Sequence, residues 1–172
     1  MKQKYGYVET SALAATYGGG HIYSVVADEV LENGMLVTLG AVIDAENYKV
    51  ETPDADSKVV LVANPALIYD QSTKAAQEEI YYFIEGGTPA RAYDLMENDR
   101  FAIVDYLVTE PLAGADQPVE KGNFLVCGTD RKYKEVAAAG FDKTAVGFAA
   151  EIVEIVYKSN MTIYRLRVVK NA

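Results

Sequence analysis

Glu32-Asn33-Gly34-Met35-Leu36-Val37-Thr38-Leu39-Gly40 returns further along the chain as Glu120-Lys121-Gly122-Asn123-Phe124-Leu125-Val126-Cys127-Gly128. Glutamate, glycine, a run of large apolar side chains and a closing glycine keep the same relative places. The pattern describes a tight turn that launches an apolar strand, and its recurrence points to repeated β-scaffolding and not to a catalytic centre. A weaker third copy, Glu97-Asn98-Asp99-Arg100-Phe101-Ala102-Ile103-Val104, keeps the turn and the strand but lacks the final glycine.

Around these repeats, strand-like segments follow at short intervals. His21 to Val26, Met35 to Leu39, Tyr48 to Val50 and Lys58 to Ala63 are β-branched or aromatic and are divided by runs of Asp, Asn, Pro and Ser. Ile80 to Ile84, Ala90 to Leu95 and Arg100 to Val108 continue the series. Asp70-Gln71-Ser72-Thr73 predicts a cap for one short helix reaching Glu79, because Lys74 to Glu78 are good helix formers.

The last fifty residues are the most explicit. Apolar residues alternate as Val146, Phe148, Ala150 and Ile152, then switch phase to Val153, Ile155 and Tyr157, which predicts a bulge near Ile152 and Val153. A two-residue turn at Ser159-Asn160 sets Glu154 opposite Arg165 and leaves Tyr164, Leu166 and Val168 on one apolar face. The fold class expected is mainly β, as antiparallel β-sandwich or β-barrel-like lobes with at most one short helix, plus an N-terminal extended arm. The divisions are an arm over 1–20, a β-rich lobe with an insertion over 21–110, and a second β-rich lobe over 118–172, separated by the Pro111 to Pro118 linker. Gly18-Gly19-Gly20 reads as a flexible tether at the end of the arm.

The composition narrows the function. The chain has 172 residues, half of them hydrophobic, so a sizeable core can be buried. A formal charge of −9 with no Lys/Arg cluster disfavours nucleic acid. The longest uninterrupted apolar runs fall far below the ~20 residues that span a bilayer, and no signal-like start is visible, so a soluble protein made without export is expected. No catalytic, cofactor or metal residue is singled out. The one histidine, His21, lacks a nucleophile motif beside it, and one cysteine, Cys127, among Phe124, Leu125 and Val126, reads as a small buried hydrophobe. Asp44, Glu46, Asp54 and Asp56 lack the spacing of a calcium loop and read as solvated turns. Thirteen tyrosines suit an interface, since each joins an apolar ring to a polar tip.

At the turn-strand repeats the chain resembles the capsid decoration, or cement, proteins of tailed bacteriophages. The likeness runs through Lys121-Gly122-Asn123-Phe124-Leu125-Val126, Gly128, Lys132-Tyr133-Lys134-Glu135-Val136 and Thr144-Ala145-Val146-Gly147-Phe148-Ala149, and into the closing hairpin at Arg165-Leu166-Arg167-Val168. It covers the last fifty-five residues or so and, more loosely, Glu32 to Ala63. The resemblance implies a non-enzymatic virion structural protein, made in the host cytoplasm, that binds the major capsid protein on the outside of a phage head. There it would reinforce capsomer junctions, often as a trimer. It also implies that the N-terminal arm orders on the capsid, with Lys4, Tyr5, Tyr7 and Val8 as the partner-binding residues. A different class of function, a β-sandwich module binding glycans or a receptor through Tyr81, Tyr82 and Tyr93, is the alternative; an enzyme built on convergent carboxylates is a third.

Overall fold

A computed structural model describes residues 4–65, 72, 78–114, 119–158 and 160–172. Among them, strands run in chain order as β1 (Val8–Ala12), β2 (Ile22–Val26), β3 (Leu36–Val42), β4 (Asn47–Glu51), β5 (Val60–Val62), β6 (Ala90–Asp94), β7 (Arg100–Val104), β8 (Val108–Glu110), β9 (Phe124–Cys127), β10 (Tyr133–Val136), β11 (Phe148–Tyr157) and β12 (Thr162–Asn171). Short 3₁₀ turns are the only helical elements described. The expected helix cap at Asp70 to Thr73 and the following Lys74 to Gln77 fall almost wholly outside the described residues, as does the end of the Pro111 to Pro118 linker. The fold is mainly β in two sheets. β2, β4, β3, β5 and β6 close into a five-stranded barrel, and the others form a seven-stranded sheet in the order β1-β7-β12-β11-β9-β10-β8.

Chain geometry requires that larger sheet to curl. β7 is second in its order and β8 is last, yet only Asp105–Leu107 joins them. Four residues reach at most about 14 Å, whereas five strand spacings laid flat would cover about 24 Å.

The turn-strand repeat is a specific device used at several strand entries. Met35 N–H donates to Glu32 C=O, Asn123 N–H to Glu120 C=O and Asp99 N–H to Met96 C=O, closing three four-residue turns. The third residue of each turn has positive φ: Gly34 at 95°, Gly122 at 89° and Asn98 at 71°. The N–H of that residue then donates to the carbonyl of one buried strand residue, and the N–H of the same strand residue returns a bond to the next carbonyl. Val62 receives Gly34 and donates to Met35; Ile152 receives Gly122 and donates to Asn123; Val168 receives Asn98 and donates to Asp99. Two residues facing one, with the first left-handed, is a G1 bulge following a tight turn. The third copy is therefore genuine but offset by one residue from the sequence alignment, with Asn98 in place of the glycine. Glu85 to Thr88 repeats the turn before β6, with Gly87 at φ 79°.

Several corrections follow from the pairing. The first segment is extended but is no free arm: Val8 pairs with Ile103 and Glu9 with Ala102 on β7, and Leu13 is fully buried. Gly18 and Gly19 cap a 3₁₀ turn over Ala14–Tyr17 with bonds back to Ala15 and Ala14, so this stretch is anchored and not a loose tether. Arg100 to Glu110, read with the first lobe, belongs to the seven-stranded sheet. Ile80 to Ile84 forms a 3₁₀ turn and one isolated bridge between Leu31 and Ile84 instead of a strand.

Other expectations match the structure closely. Glu154 is opposite Arg165 and the register shifts between Ile152 and Glu154. Ser159 lies outside the described residues, but Lys158 N–H to Met161 C=O preserves the hairpin register. Tyr164, Leu166 and Val168 are all buried.

A single apolar core joins the two sheets. Leu31, Leu36 and Leu61 from the barrel side and Leu125, Tyr133, Phe148 and Ile152 from the large sheet share one cluster.

Candidate interaction surface

The four N-terminal residues singled out by the resemblance lie against their own chain. Lys4 extends its ammonium to the Tyr106 hydroxyl at 2.6 Å and over the Tyr106 ring, 5.0 Å from its centroid. That hydroxyl holds the Lys4 ammonium above its ordinary range. Tyr5 donates its N–H to Ile80 C=O and tilts against Phe83 with ring centroids 4.9 Å apart. Tyr7 is half-buried, its hydroxyl 3.4 Å from a Glu9 carboxylate oxygen; burial, with Glu9 adding to it, pushes the phenol up to about 12. Val8 is a rung of β1. The structure thus brings Lys4 and Tyr5 together with Phe83 and Tyr106, partners that lie far away in sequence, while Tyr7 and Val8 form the root of the strand.

The buried carboxylates hold the backbone together. Glu135 accepts from Leu112 N–H, Glu120 N–H and the Asn123 amide, all at 2.8 to 2.9 Å. Asp99 takes Ala14 N–H and Met96 N–H. Glu32 takes Gly6 N–H and pairs with Lys132 at 2.9 Å, while Asp94 pairs with Lys58 at the same distance. Each of these four carboxylates is engaged by backbone or cationic donors of its own chain, which ties it to the scaffold. Among the described residues no group of three His, Cys, Asp or Glu side chains is placed to hold a metal ion. Cys127 packs against the core, and burial raises its thiol to about 11, the wrong direction for a nucleophile. His21 is exposed, with its ring 5.9 Å from Tyr23, and Tyr23 meets Tyr48 edge-on at 5.7 Å. Tyr82 accepts from the Asn64 amide, and both it and Tyr93 pack against the core; Tyr81 is half-buried.

Among the described residues, the hairpin joining β3 to β4 exposes two adjacent aliphatic side chains. Ala41 to Glu46 all face solvent, with Val42 at 60% and Ile43 at 55% exposure. Its shape is fixed by one side chain. Asp44 accepts from Glu46 N–H, Asn47 N–H and the Asn47 amide at 2.9 to 3.0 Å, and Ile43 N–H closes onto Asn47 C=O. Those contacts, the Asn47 amide first, hold the Asp44 carboxyl below its ordinary range. Asp-turn chemistry was legible in the sequence, but the exposure of Val42 and Ile43 was not, because an apolar pair beside a turn reads equally well as core.

The arrangement defines a class of fold: a mainly β body of two sheets, one of them a closed barrel, with carboxylates engaged by their own scaffold and a hairpin that exposes two adjacent aliphatic side chains. No family model, curated protein or solved structure matches the chain.

Proposed function

We propose that this chain is a virion structural protein that binds the outer surface of a phage head, contacts the major capsid protein and stabilises the shell at capsomer junctions as a homo-oligomer. The observation that carries this reading is the preformed hairpin tip at Ala41, Val42 and Ile43, an apolar surface held rigid before any partner arrives. Preorganisation removes much of the ordering penalty on association. The resemblance of the turn-strand units to decoration proteins supplies the partner, and the acidic balance suits a position away from packaged DNA. Modest contacts suffice when a shell presents many fixed sites and an oligomer engages several at once.

Integration of the N-terminal segment into its own sheet changes the informative experiment. Deleting that segment would strip β7 of a partner strand and test folding, not adhesion. Val42→Asp with Ile43→Asp is the better variant, since both side chains are exposed and neither belongs to the core. Purified protein added to expanded heads is expected to bind in fixed stoichiometry and raise the temperature of shell disruption, and the double variant to bind far more weakly at unchanged folding stability. Shell stability unmoved at saturating wild-type protein would refute the reading.

A further inference from the structure

On one face of the seven-stranded sheet, two rows of side chains cross four strands. Register places Glu9, Ala102, Arg165 and Glu154 in the first row, and Ala12, Arg100, Arg167 and Glu151 in the second. Within these rows Arg165 pairs with Glu154 at 2.7 Å and Arg167 pairs with Glu151. Glu9 is 3.8 Å from Lys158 and accepts from Tyr7. Arg100 is left over: among the described residues it has no carboxylate partner, and its cross-strand neighbours are Arg167 and the methyl group of Ala12. Arg167 and Arg165 already have their carboxylates, so the exposed Arg100 guanidinium is the cation of these rows left without a counter-charge.

The same residues line a cavity. Glu9, Ser11, Ala12, Arg100, Ala102 and Arg165 border a groove of about 320 Å³, its floor lowered by the small side chains of Ala12 and Ala102. The bulge that displaces Val153 adds an apolar edge.

We propose that this groove binds a single carboxylate, with the Arg100 guanidinium as its principal partner and the groove floor covering the carbon body behind it. A guanidinium presents two parallel N–H donors that match the two oxygens of a carboxylate. The rim explains why one negative charge is preferred to two. Glu9 and Glu154 flank the cations, so a phosphate dianion meets two like charges, whereas a carboxylate with amide N–H donors beside it can give those donors to the rim oxygens. The carboxylate has two possible sources, an acidic side chain on a partner protein or a free small acid. The site does not depend on the capsid reading.

The test is a titration of the intact protein, followed by the arginine Nε–Hε resonances, with N-acetyl-L-glutamate α-amide, butyrate, acetate and inorganic phosphate at low salt. Saturable shifts of Arg100 and Arg165 are expected with the glutamate derivative, together with weaker response to phosphate and no response of Arg91 on the barrel. Arg100→Gln should weaken binding roughly tenfold or more, and Arg100→Lys, which keeps the charge but loses the fork, should also weaken it. Butyrate, which keeps a carbon body but lacks the amides, separates the sources: preference for the glutamate derivative over butyrate assigns a protein side chain, and equal binding of the two assigns a free acid. Acetate binding as tightly as either would overturn the covering role of the groove floor. Shifts that never saturate, equal shifts at Arg91, phosphate binding as tightly as the carboxylates, or unchanged affinity in folded Arg100→Gln would each overturn the proposal.

Discussion

Gly34 and Gly122 occupy equivalent positions in two copies of one turn, yet they are not equivalent as residues. Both have left-handed φ, a conformation that disfavours any side chain by about 1–2 kcal/mol. A methyl group on Gly122 meets nothing within 4 Å, whereas one on Gly34 overlaps the side chain of Leu107, which is fully buried. Gly122→Ala is therefore expected to cost about 1–2 kcal/mol, and Gly34→Ala a further 1–3 kcal/mol of overpacking. Denaturant midpoints of the two variants check the order, and equal losses would show that Leu107 yields. Asn98→Gly, at the third copy, should be close to neutral or stabilising because the backbone is already left-handed there. Cys127 gives a second residue-level expectation. With its thiol raised to about 11 by burial, the thiolate is scarce at pH 8, so alkylation of the native protein should run roughly two orders of magnitude slower than that of a model thiol. The rate should climb with pH toward that value, and fast labelling at pH 8 would mean that the strand opens.

At the scale of elements, the β3–β4 hairpin tip depends on one carboxylate. Asp44→Ala removes the acceptor for two backbone N–H groups and one side-chain amide, so the tip should fray while the core stays intact. Acid should act in the same way. A depressed folded pKa means that the stabilisation is fully present above the ordinary aspartate value and is lost as pH falls through the lower folded value. The amide shifts of Glu46 and Asn47 are expected to move together in that acid window, and Asp44→Ala should show the displaced positions already at neutral pH. Elements of this kind were partly legible in the chain. Strand existence, the bulge at Val153 and the Glu154–Arg165 rung could be read because period-two alternation and turn counting are local. Ile80 to Ile84 misled, since a β-branched and aromatic run records a need for burial and not a hydrogen-bond partner. The binding groove was invisible for a different reason: Ala12, Arg100 and Arg165 meet only through strand pairing across 153 positions of chain, from 12 to 165.

Over the whole molecule, the two sheets share one core and are joined by bonds to the backbone. The Tyr133 hydroxyl, fully buried on β10, donates to Gly34 C=O at 2.9 Å, inside the turn that launches β3. Leu36 N–H donates to Arg131 C=O at 2.8 Å, and Lys132 pairs with Glu32 beside it. At a second place, Gly147 N–H reaches Ala55 C=O at 2.7 Å, and the backbone of Asp56 and Ser57 passes so close that only glycine fits at 147. Asn171, at the end of β12, bonds Val59 N–H, Val59 C=O and Leu95 C=O together. Separate lobes joined by a linker would show two unfolding transitions, whereas one is expected of a shared core. Tyr133→Phe leaves the Gly34 carbonyl without its donor and should lower global stability by about 1 kcal/mol or somewhat more, by the same amount for both sheets. Native-state hydrogen exchange provides the measurement: the slowest amides of β5 in the barrel and β11 in the large sheet should report one opening free energy and shift in parallel in Tyr133→Phe. A barrel whose protection outlasts that of β11, or a variant that loosens one sheet alone, would show that the shared core is a contact between two domains.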